Sequence, residues 1–288
     1  PSVWGEQSEN IGQVYALTGM RQVAEEEGAR LVQFQKHRWR GKFPLTDWLD
    51  SCDYFVSLPK FKTHTFTTLT GAIKNLYGLA SGVYKTELHK KYFRKEEFAG
   101  ILAEILRQAK PNFTLVDGIT AMEGDGPASA GKPRSLGLLF CGADCVALDS
   151  VLAVVMGLAP RDIPSTKIAA QNGLGVADME EIEVLGEKLE DVVGKPFILP
   201  GPSLTSRIPQ PLANLLRKML RFYPKVNQKN CLDCGACIEA CPNKIISRKK
   251  GKIVIDYSRC LSCFCCQETC SNTAINLRKS LLAKLLKL

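Results

Sequence analysis

Nine of the twelve cysteines in this 288-residue chain lie between Cys231 and Cys270. They form two runs, Cys231-x-x-Cys234-x-x-Cys237-x-x-x-Cys241-Pro242 and Cys260-x-x-Cys263-x-x-Cys266-x-x-x-Cys270. Three thiols two residues apart can converge on one inorganic centre only from a tight loop. The fourth cysteine of each run starts a short helix aimed at a different centre. Disulfide scaffolds belong to short secreted chains, whereas this chain is long and confines its cysteines to one segment. Metal or cluster ligation fits better. It calls for a reducing compartment, and the expected location is cytoplasmic.

Each run has the spacing that holds a [4Fe–4S] cubane in bacterial ferredoxins, and residues 225–276 resemble that two-cluster domain, a small α+β fold. The pattern assigns Cys231, Cys234, Cys237 and Cys270 to one cluster, and Cys241, Cys260, Cys263 and Cys266 to the other. Cys265 offers a second version of the latter loop; Cys266 is preferred because it restores the repeat. Gly235 and Ala236 suit a close loop, and Ser271 stands where a second proline is expected. Repeated Cys-x-x-Cys also suits tetrahedral zinc, but zinc sites pair two knuckles across a longer spacer. Two complete four-cysteine runs fit iron–sulfur better. Such a module has no pocket of its own, so its default role is electron transfer.

Charge follows the same division. Residues 201–288 hold 16 Lys/Arg against 4 Asp/Glu, whereas residues 1–200 are net acidic, and the whole chain is +9. The basic third points to an acidic redox partner such as a small ferredoxin or flavodoxin. It contains no nucleic-acid-binding motif. Four prolines in LPGPSLTSRIPQP (199–211) end the first domain, residues 1–198. The linker, 199–224, finishes in an amphipathic basic helix over 212–222. A second such helix is expected over 277–288 (LRKSLLAKLLKL). It would either pack on the ferredoxin module or rest on an anionic membrane surface.

Upstream, apolar periodicity alternates between helix and strand. Helices are expected over 11–28, 65–79, 86–109 and 143–157, and strands at Arg30–Gln35, Asp53–Leu58, Asn112–Val116 and Leu136–Cys141. Further strands are expected at 182–186 and 196–199, with a glycine-rich loop over 117–132. That order predicts an α/β domain with a mostly parallel sheet. Gly126-x-x-x-x-Gly131-Lys132 imitates a phosphate loop, but Pro133 occupies the position of the magnesium-binding hydroxyl, so nucleotide binding is rejected. Cys52, Cys141 and Cys145 read as core thiols, and Asp144 as a helix N-cap.

Lys60, Lys62, His64 and Lys74 crowd LPKFKTHTFTTLTGAIKNLYG (58–78). His89 follows, then Asp117 and Glu123 in DGITAMEGDGP. Lysines beside a strand end can hold a small anionic substrate, with Lys60 and Lys62 binding it. His64, Lys74 and His89 would do the chemistry, assisted by Asp117 or Glu123. PKFKTH (59–64), LTGAIKNLYG (69–78), His89, VDGITAMEGDGP (116–127) and ADCVALDSV (143–151) resemble the DUF362 family, whose members are often fused to ferredoxin modules. The resemblance covers most of residues 10–190. It implies a fold that starts further upstream, so that Pro1 falls inside it, and it brings no general activity. Three functions remain open. One is an iron–sulfur oxidoreductase with an anionic substrate. Another is an electron carrier or assembly subunit whose α/β domain docks a partner. The third is a non-redox enzyme with structural or sensory clusters.

Overall fold

The computed structural model describes residues 11–34, 36–80, 84–85, 88, 92, 94–127, 131–200, 222–241, 243–260, 265–268, 270, 272 and 274–279. His89, Cys263, Pro242 and the 212–221 stretch lie outside them.

The expected first helix is two, α1 (Ile11–Leu17) and α2 (Met20–Glu26), divided where Gly19 adopts a left-handed φ of 75°. A hairpin follows, β1 (His37–Arg40) and β2 (Phe43–Thr46). The strand expected at Arg30–Gln35 therefore forms a few residues later, where Phe43 and Leu45 enter the core.

The α/β class holds, and its sheet is mixed. Strands β3 (Val56–Ser57) and β4 (Lys60–His64) run parallel to one edge of β6 (Phe113–Gly124), one after the other. On the far side of β4 lies antiparallel β5 (Thr68–Thr70). The other edge of β6 takes antiparallel β7 (Gly131–Gly142). The antiparallel share comes from two segments that local pattern misassigns. Residues 65–79 open as the β4–β5 hairpin, and only Ala72–Asn75 (α3) and a 3-10 turn at Leu76–Leu79 are helical. The glycine-rich 117–132 stretch is mostly strand, because cross-strand bonds to β7 override weak local propensity. Gly131 and Lys132 lie in β7. Residues 182–186 and 196–199 run irregularly.

Two long helices supply much of the core. In α4 (Lys95–Ala109), Phe98, Leu102, Ile105 and Leu106 recur at helical spacing and bury one face. Glu96 and Glu97 begin it, Arg107 stands in its last turn, and Lys110 ends it in left-handed geometry before Pro111. Helix α5 (Cys145–Val155) is apolar nearly all round and feeds both core clusters of the domain. Asp144 caps it as expected, accepting from the N–H groups of Val146 and Ala147. Cys145 is core, but Cys52 and Cys141 are exposed. Cys141 falls on the outward-facing parity of β7, which explains the departure. Shorter helices α6 (Pro164–Gln171) and α7 (Leu189–Val192) complete the unit.

The C-terminal unit is small and cysteine-rich. Strand β8 (Phe222–Val226) pairs antiparallel with β11 (Ile275–Lys279), and β9 (Ile246–Lys249) forms a hairpin with β10 (Lys252–Ile255). Residues 277–279, expected to begin a helix, therefore extend a strand; 280–288 lie outside the described residues. Residue 222, expected to close a helix, starts β8. Two one-turn helices, α8 (Ala236–Glu239) and α9 (Cys265–Glu268), occupy equivalent positions in the two halves of the repeat. Among the described residues no helix is long and apolar enough to cross a membrane.

Candidate functional site

Cys231, Cys234 and Cys237 leave β8 on a loop that turns into α8. Gly235 allows this turn by taking a φ of 81°, which costs a residue without Cβ little. Cys270 arrives from the other half of the repeat. These four cysteines line one pocket, whose other walls are mainly apolar and include Val226, Ile253 and Ile275. Among the described residues no three His, Cys, Asp or Glu side chains gather closely enough to share a single metal ion. Four thiols spread around a pocket suit a cubane, where each thiolate meets its own iron.

Protein groups also address the sulfurs. The Ala274 N–H donates to Cys270 Sγ at 3.2 Å, the type of bond that stabilises a coordinated thiolate. Burial pushes the Cys237 thiol up to about 11, and the charges of Cys231, Cys234 and Cys270 add to it. Cys237 thus resists losing its proton in this setting, and bound iron would supply the missing counter-charge.

The second set is described in part. Cys241 and Cys266 are buried and Cys260 is half-buried, all within the core of this unit. Cys266 on α9 matches Cys237 on α8 in the repeat, and both are buried. Tyr257 donates from its hydroxyl to the Pro224 carbonyl at 3.0 Å and packs edge-on against Tyr223, fixing the turn into Cys260. Burial first, then the neighbouring charge of Cys260, raises its phenol.

In the α/β unit, strand alternation puts Lys60, Lys62 and His64 on one face of β4, while Phe61 and Thr63 point the other way. Lys60 bonds to Asp117 at 2.7 Å across the parallel β4–β6 pair. That bond holds the Asp117 carboxyl below its ordinary range. Nδ1 of His64 accepts from the N–H groups of Phe66 and Thr67 at 3.0 and 3.3 Å, which places the neutral ring's proton on Nε2. The turn from β6 to β7 crosses the end of β4, where the Thr65 N–H donates to the Gly126 carbonyl at 3.0 Å.

Glu123 is committed elsewhere. It takes Arg134 at 2.9 Å and the Ile198 N–H at 3.1 Å. Burial pushes its carboxyl up, but these bonds outweigh it and the net shift is downward. Arg134 also lies over the Phe197 ring at 4.3 Å, so the pair fastens 195–198 to the sheet.

Two further charged residues of this region are buried. Lys85 is buried, and its Nζ donates to the Gly78 carbonyl at 3.0 Å. Burial, then the charge of Lys74, lowers its amine to about 7. Lys74 therefore lies in electrostatic reach of Lys85. No local pattern marks Lys85. Asp149 is fully buried and receives the N–H groups of Ala72 and Ile73. A lone acid in the apolar run CVALDSVLAVV was its signal.

The chain matches the family described as a domain of unknown function, DUF362, over residues 2–154. Residues 223–271 match the 4Fe-4S dicluster domain. A thylakoid-associated protein of Synechocystis is 38% identical over 125 residues, which cover 43% of this chain and 38% of that protein. An uncharacterized ferredoxin of Methanocaldococcus jannaschii is 37% identical over 41 residues, 14% of this chain and 28% of that one. The matched stretches thus span well under half of either relative. The DUF362 match spans more than half of the chain, which therefore belongs to that family and carries a C-terminal ferredoxin-type 4Fe-4S domain.

Proposed function

We propose that the protein is an electron carrier with two [4Fe–4S] clusters. Cys231, Cys234, Cys237 and Cys270 hold the first, and Cys241, Cys260, Cys263 and Cys266 the second. The observation that carries this reading is the meeting of Cys270 with the first three cysteines around one pocket, across the repeat. Bound clusters supply one-electron chemistry; the chain's own residues position, shield and tune them. Such thiolates belong in a reducing compartment, which favours the cytoplasm. The basic C-terminal third suits an acidic redox partner. Counting iron and acid-labile sulfide in anaerobically prepared protein tests the assignment. Cys270→Ser should lose about half of both relative to wild type. Full retention would refute it.

The α/β unit supports two narrower readings. In one, electrons couple to a small anion held near Lys62, His64, Lys74 and Lys85. Two amines in mutual electrostatic reach favour this, because an anion would relieve their repulsion. In the other, the unit only docks a partner. That is favoured by the commitment of Lys60, Asp117 and Glu123 to ion pairs inside the sheet. Calorimetric titration with a small dicarboxylate separates them. Heat that disappears in Lys74→Ala supports the anion site, and no heat with wild type supports docking.

A further inference from the structure

The two cysteine runs repeat closely, yet one position differs in charge. Cys231-Leu232-Asp233-Cys234 aligns with Cys260-Leu261-Ser262-Cys263, so the first loop carries a carboxylate where the second carries a hydroxyl. Asp233 is also one of the few non-glycine residues with a left-handed backbone, at a φ of 52°. Such a conformation persists where surrounding contacts hold it.

Arg248 makes those contacts. Its Nε donates to Asp233 Oδ1 at 2.8 Å, and its Nη2 donates to the Asp233 carbonyl at 2.7 Å. One guanidinium thus grips both the side chain and the backbone of the same loop residue. Its position follows from the β9–β10 register, which sets Arg248 directly opposite Ile253. Directly opposed residues in an antiparallel pair point to the same face. Ile253 lines the pocket of Cys231, Cys234, Cys237 and Cys270. Arg248 therefore stands in the row that faces this pocket, where apolar side chains give way to a cation.

We propose that Arg248 is a positioning and tuning residue for the first cluster alone, clamping the Cys231–Cys234 loop and placing a fixed positive charge beside it. This rests on the two-cluster reading above. A cation beside a cluster stabilises the more negative reduced state, and charge and hydrogen bonding around the sulfurs set the potential. The serine in the second loop removes the carboxylate partner that such a clamp needs. The two clusters are therefore inequivalent: only the first lies beside a charge pair whose two halves act on its potential in opposite directions.

The test is a potentiometric titration of the full chain followed by EPR. Arg248→Gln should lower one midpoint potential and leave the other in place. Asp233→Asn, which removes the opposing charge, should raise that same midpoint. The Arg248→Gln/Asp233→Asn double variant should return toward wild type, which a purely structural loss would not do. Arg248→Lys keeps the charge without the fork, so it should hold the potential better than Arg248→Gln does. Equal shifts of both midpoints, or no shift in any variant with both clusters present, would overturn the proposal. Wild-type protein without two clusters would instead refute the reading on which it rests.

Discussion

Asp149 Oδ1 lies 2.6 Å from the backbone nitrogen of Ala72, and its second oxygen takes the Ile73 N–H at 3.1 Å. A carboxylate buried in the middle of α5 thereby anchors the start of α3, the turn that carries Lys74. Gly71 is required here for space, because a Cβ would collide with Asp149 and Leu152. Gly71→Ala should cost about 1–3 kcal/mol by overpacking. Asp149→Asn leaves one oxygen for two donors and should cost about as much. Chemical denaturation followed by tryptophan fluorescence reads both, since Trp4, Trp39 and Trp48 all lie in the first fifty residues.

The same signal should show a characteristic pH dependence. Burial raises the Asp149 carboxyl to about 7. Its contribution is fully present below the unfolded carboxylate value and is lost as pH rises through about 7. Lys85 is lowered to about 7. Its contribution is present above the unfolded amine value and is lost as pH falls through about 7. The two groups together weaken the α/β unit most near neutrality. Asp149→Asn should flatten the acid side of the profile, and Lys85→Met the alkaline side. Slopes unchanged by either substitution would contradict the burial of these charges.

The Lys60–Asp117 pair should matter far less. Both side chains are nearly half exposed. A double-mutant cycle with Lys60→Ala and Asp117→Ala should give a coupling of ~1 kcal/mol or less, falling further in high salt. A coupling several times larger would mean that the pair is shielded from water.

His64 has a specific protonation pattern to test. With Nδ1 accepting two backbone N–H groups, the Nε2–H tautomer should dominate. Nitrogen-15 shifts of the labelled imidazole report this directly. A proton on Nδ1 at neutral pH would break the proposed turn.

Adjacent cysteines give a sharp contrast. Cys266, in register with Cys237, is assigned as a ligand, and Cys265 is not. Cys266→Ser should lose about half the bound iron, while Cys265→Ser should keep it. The opposite result would shift the second loop by one residue.

What could be read in advance follows from how local each signal is. Ligand spacing is a property of neighbouring residues, so the cysteine runs announce themselves, and the equivalence of α8 and α9 follows from the repeat. The Asp144 cap and helix α5 were legible for the same reason. By contrast, the β6–β7 hairpin was hidden, because Gly118, Gly124 and Gly131 look like loop residues until a partner strand satisfies them. Lys85, Arg134 and the Arg248–Asp233 grip depend on residues 7 to 62 positions away. Glu123 was recognisable as important but was given a catalytic part, since sequence does not show that Arg134 occupies it.

The central claim is that eight cysteine sulfurs near the carboxyl terminus hold two iron–sulfur cubanes. Its most direct test is EPR spectroscopy of oxygen-free, dithionite-reduced full-length protein, with iron and sulfide quantified on the same sample. Two magnetically interacting reduced clusters with about eight iron atoms per chain are predicted. A sample that carries stoichiometric zinc and gives no paramagnetic signal would contradict the claim.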